Sequence, residues 1–87
     1  MLQMNPDDLI RLRSTFDRQA EAVESLRGTI QSAVDGTVWE SPAAQEFDRV
    51  WSSEFTPMLH NLRDALGRAA QAVQNSHDKV VEANRAL

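Results

Sequence analysis

Apolar residues recur every seven positions through the first part of the chain. Leu9, Phe16, Val23 and Ile30 form one row. Leu12, Leu26 and Ala33 form a second, in which Gln19 is the polar exception. Two such rows, sustained over more than three heptads with charges between them, predict an amphipathic helix with a coiled-coil-like seam.

The flanking residues set its limits. Asn5 suits the N-cap, Pro6 the first helical position, and Asp7 and Asp8 place negative charge on the positive end of the helix dipole. The helix should run over about residues 6–34. Asp35-Gly36 ends it, with Gly36 expected in the left-handed conformation that commonly closes a helix. A turn over about 35–41 follows, holding Thr37, Val38, Trp39 and Glu40. Ser41 and Pro42 then supply an N-cap and first position for a second helix.

The second helix is expected over about 42–85, and its pattern falls into two parts. Ala44, Phe47, Trp51 and Phe55 share one face. Beyond them, Leu59, Leu66, Val73, Val80 and Leu87 form one heptad row. Phe55, Leu62, Ala69, Ser76 and Ala83 form the other. The parts do not share a register, and the shift falls near Thr56-Pro57. Proline removes a helical hydrogen bond and crowds the preceding turn, so a kink or short break is expected there. Three helices with a boundary at Thr56 is the alternative.

Two long helices joined by a short turn make an antiparallel hairpin. Each helix then has one neighbour but an apolar stripe wide enough for more. A second hairpin covers the remainder. The expected fold is therefore all-α: a single helix-turn-helix hairpin domain over residues 1–87, dimerising into a four-helix bundle. Its seam comprises Leu9, Leu12, Phe16, Val23, Leu26 and Ile30 from the first helix. Phe47, Trp51, Phe55, Leu59, Leu62, Leu66, Val73 and Val80 come from the second.

Composition narrows the function. The chain has no cysteine, hence neither a disulfide nor a thiolate metal site. Its net charge of −4 disfavours a nucleic-acid backbone or an anionic membrane surface as partner. No apolar run approaches the ~20 residues that span a bilayer, and no signal-peptide pattern opens the chain. Both point to a protein that is cytoplasmic unless it leaves by an unusual route.

Candidate chemistry is sparse. His60 and Asp64 lie four apart on one helix face, but no further ligand joins them, so a solvated pair is the simpler reading. His77 and Asp78 are sequence neighbours, expected to point to different sides of the helix. Gly28, Gly36 and Gly67 are scattered and make no phosphate loop. No catalytic, cofactor or metal site is expected. Trp39 stands out because turns are usually polar. Its indole either packs down to close the hairpin end or stays exposed to bind a partner.

The segment Trp39-Glu40-Ser41-Pro42-Ala43-Ala44, followed by Phe47 and Trp51, resembles the WXG-100 (ESAT-like) family. That family's turn carries Trp, any residue, Gly, then small residues and two aromatics four apart. Here Ser41 replaces the glycine. The resemblance covers the whole chain in length and plan. It implies a homodimeric or heterodimeric four-helix bundle, exported folded and without a cleavable signal peptide by type VII (ESX-like) secretion. Its implied partners are a copy of itself or a paralogous chain, and a secretion ATPase or effector. Family members often carry a C-terminal Tyr-x-x-x-Asp/Glu signal. This chain has no tyrosine, and only Asp78 and Glu82 keep acidic character near the expected place. It is then expected to be the partner without the signal. The alternative function is a cytoplasmic dimerisation or chaperone module for a toxin or effector.

Overall fold

The computed structural model describes residues 5–85. Helix α1 spans Pro6–Asp35, α2 spans Pro42–Val50, a π-helical turn spans Trp51–Phe55, and α3 spans Thr56–Arg85. The last three form one continuous rod that folds back along α1. The fold is an all-helical, antiparallel helix-turn-helix hairpin.

The start of α1 follows from its first residues. The Asn5 side chain accepts from the Asp7 N–H at 2.9 Å, and Pro6 occupies the first turn. Ser41 caps α2 in the same way, its hydroxyl accepting from the Ala44 N–H at 3.1 Å. The end of α1 differs from expectation. Gly36 sits in the right-handed helical region, at φ −84° and ψ 0°. The last carbonyls find other donors instead. Thr37 donates its hydroxyl to Ala33 O at 2.7 Å and its N–H to Val34 O at 3.1 Å. The Trp39 indole N–H also reaches Val34 O, at 3.0 Å. With those acceptors satisfied, the chain needs no left-handed residue to close the helix.

The irregularity near Thr56-Pro57 takes the form of the π turn. The Thr56 N–H donates five residues back, to Trp51 O. One extra residue is thus accommodated without breaking the rod. It reconciles the two registers of the apolar pattern, because Trp51 and Leu59 can then both face α1. Pro57 lies just beyond, where its missing N–H costs least. Thr56 Oγ1 is buried beside this turn without a hydrogen-bond partner.

The hairpin is 68 Å long and 17 Å across in both other directions. Its radius of gyration is 19.6 Å, against ~12 Å for a compact domain of this length. Such a rod cannot enclose a core. Among the described residues, only Leu9, Val34, Trp51 and Ala70 are buried, and none of them completely. Val34 and Ala70 were not in the expected seam, because the inward stripe of each helix drifts around the axis relative to a strict heptad.

Candidate interaction surface

The seam rows read from the sequence separate once the hairpin forms. Leu9, Phe16, Val23 and Ile30 on α1 are buried or half-buried, as are Leu59, Leu66, Val73 and Val80 on α3. These rows close the hairpin. The rows three positions further along face outward. Leu12 and Leu26 are exposed on α1, as are Phe55 at the end of the π turn and Leu62 on α3, with Met58 between them. Leu26 retains 51% of its accessible surface and Leu62 47%. Leu87, the last member of its row, lies outside the described residues.

Both outward rows fall on the same side of the hairpin. Successive residues advance ~100° around a helix, so a residue three further on sits ~60° back from the inward row. The offset has the same sense on α1 and α3. Because the helices run in opposite directions, equal rotations about each axis bring both rows to one side. That side carries Leu12, Thr15, Gln19, Ala22, Leu26, Thr29 and Ala33 from α1, with Asp8 as the charged first member of the Thr15 row near the open end. From the π turn it carries Phe55, and from α3 Met58, Leu62, Ala65, Ala69, Ala72 and Ser76, before Lys79 brings a charge onto the same row near the open end.

The opposite side holds the side-chain bridges between α1 and α3, with Ile10 half-exposed near its open end. The Arg13 guanidinium donates to Gln74 Oε1 at 2.8 Å. Arg63 lies 3.9 Å from the Glu24 carboxylate. The Arg27 guanidinium, held against Glu24 at 2.7 Å, pulls the Glu24 carboxyl below its ordinary range. A shallow groove of about 490 Å³ runs here past Ala20, Gly67, Arg63 and Arg68. A Cβ added at Gly67 or Gly28 would meet nothing within 4 Å, so the hairpin itself requires neither glycine.

The turn end is closed by aromatics. Trp39 stacks on Phe47 with ring centroids 5.6 Å apart, and its indole N–H is already committed to Val34 O. Trp39 therefore packs down, while Val38 beside it is 75% exposed and Phe47 half-exposed. Glu40 is exposed, and Ser41 serves as the cap. Trp51 is buried on α1 and donates its indole N–H to Gln31 Oε1 at 2.8 Å.

The remaining candidates are dispersed. Asp64 pairs with its neighbour Arg63 at 3.2 Å. His77 and Asp78 do meet, Nδ1 to Oδ1 at 3.2 Å, although they are sequence neighbours on the helix. The His77 contact, then the Gln74 amide, hold the Asp78 carboxyl below its ordinary range. Glu82 is exposed one turn on, beside Arg85. Among the described residues, no group of three or more His, Asp or Glu side chains is placed to hold a metal ion. No helix among them is long and apolar enough to cross a membrane.

No protein-family model, curated protein or solved structure matches this chain.

Proposed function

We propose that this chain is a non-enzymatic binding subunit, whose apolar side docks on a second helical hairpin to complete a four-helix bundle. One observation carries the reading: on one side of the rod a run of large apolar residues, Leu12, Leu26, Phe55, Met58 and Leu62, is left in water. A side chain the size of leucine gains about 1.5–3 kcal/mol on full burial. Half-exposed Leu12, Leu26, Phe55, Met58 and Leu62 together leave several kcal/mol available to a partner.

The setting proposed for that pairing is type VII (ESX-like) export. It is supported by the Trp39-Glu40-Ser41 turn, the small residues after it and the aromatics Phe47 and Trp51, arranged as the WXG-like resemblance requires. In this setting the hairpin leaves the cell paired with a subunit or effector that carries the tyrosine motif. The test is export from a type VII-competent host with and without its secretion ATPase. ATPase-dependent appearance outside the cell, only when a signal-bearing partner is co-expressed, is expected. Retention in the cytoplasm under every combination, with the partner still bound, would favour the dimerisation or chaperone role.

A further inference from the structure

We infer that the turn end of the molecule, with α2 as its body, is an arm that opens about the π turn while α1 and α3 stay packed. This arm is separate from the outward rows, and what covers them does not bear on it.

The attachment of α2 is slight. α1 and α3 lie close along their length, whereas α2 and the π turn scarcely approach α1. Trp51 meets Gln31 only one turn before α1 ends at Asp35. From that level α2 runs on for ~14 Å while α1 continues for only ~6 Å, at about 1.5 Å per residue. About half of α2 therefore projects past the end of its neighbour. None of its side chains is buried. What holds it is a latch centred on Trp39. Phe47 stacks on the indole, the indole N–H is bonded to Val34 O, and the Gln45 amide donates to Trp39 O at 3.4 Å. Segments with so few buried contacts open at lower free energy than the packed elements beside them.

The weak point in the rod lies where the arm joins it. The Thr56 N–H is drawn to Trp51 O, and Pro57 has no N–H. Those are the two backbone donors, four and five residues on, that could reach the Ser52 carbonyl along the helix. Thr56 Oγ1 is buried in the same turn without a partner. Hydrogen bonds left unmade in the closed form are made to water on opening, so opening costs less here than in regular helix. Helices also bend most readily at π turns. Phe47 and Val38 already stand in water when the arm is closed. Opening adds the faces that Phe47 and Trp39 turn to each other. The turn end can thus change the apolar surface it offers without melting the hairpin.

Hydrogen exchange on the full chain, followed amide by amide by NMR, tests the arm. Residues 46–55 should share one protection level, on the order of tenfold or more below residues 20–30 and 60–75, with a sharp step at the π turn. Thr56→Val replaces the unpartnered hydroxyl by a methyl of the same shape. It should slow exchange at 46–55 on the order of tenfold, the worth of one buried polar group relieved. Trp39→Ala removes the latch and should speed exchange at 46–55 by a similar factor, roughly one stack and one hydrogen bond, with residues 60–75 unchanged. Protection at 46–55 equal to that of the rest of the rod, or fading smoothly with no step at the π turn, would overturn the inference. So would exchange at 46–55 that neither substitution moves.

Discussion

The two sides of this hairpin are built from the same helices and do opposite things. On one side, Arg13 meets Gln74 and Glu24 lies between Arg27 and Arg63, so the charges tie the helices to each other. On the other, Leu26 and Leu62 each leave about half of their surface in water. Exposed ion pairs contribute little, about 0–1 kcal/mol each. Apolar area of that size is worth more, but only when something covers it. The charged side holds the bridges between the helices, and in the proposed function the apolar side supplies the free energy of assembly.

Substitutions separate the inner rows from the outer ones, and the apolar side from the charged side. Leu66→Asp should have the largest effect. It puts a charge between α1 and α3, where an unpaired ion costs several kcal/mol. Circular dichroism should show loss of most helicity. Leu62→Asp, only four positions away but outward, should keep its helicity and lose only self-association. Equal unfolding of both would mean that the inward and outward rows are wrongly assigned.

Trp51→Ala comes next. It empties the largest buried position and leaves Gln31 without its partner. A loss of about 3 kcal/mol in chemical denaturation is expected, typical of a buried aromatic replaced by alanine.

Gly67→Ala and Gly28→Ala act in the other direction. Each adds a methyl that meets nothing in the hairpin. Each should raise stability by up to about 1 kcal/mol, the helix-propensity difference between the residues. Both glycines lie on the charged side. If either alanine weakened assembly while stabilising the helix, the charged side would be the interface.

The smallest effect is that of acid. Glu24, Glu46 and Asp78 have carboxyls lowered by hydrogen bonds from Arg27, Arg49 and His77 respectively. A lowered folded-state value contributes stability above the ordinary carboxylate range, and that stability is lost as pH falls through the lowered values. All three groups face solvent, so thermal unfolding followed into strong acid should show only a shallow decline. A steep collapse would mean that the polar bridges, rather than the apolar rows, hold the hairpin.

Much of the fold is legible in the residues themselves. The seven-residue recurrence through Leu9, Phe16, Val23 and Ile30 and the caps at Asn5 and Ser41 read directly as helix, turn and helix. The division of labour between the rows is not legible. Leu12 and Leu26 are as apolar as Phe16 and Val23, and only packing α3 onto α1 decides which row turns inward. The π turn left a trace in the register shift before Pro57, but its form depends on the whole rod staying continuous. The right-handed Gly36 escaped because Thr37 and Trp39 supply the missing donors, an arrangement invisible until the chain folds back. Of the interaction surface, Met58 and Val38 were missed, although Met58 sits between Phe55 and Leu62 at helical spacing.

The most direct test of the account is the solution mass of the chain by light scattering over a wide concentration range, beside the Leu26→Asp, Leu62→Asp double variant. The account predicts a wild type of twice the chain mass and an equally helical variant of single mass. A wild type and variant of identical mass at every concentration would contradict it.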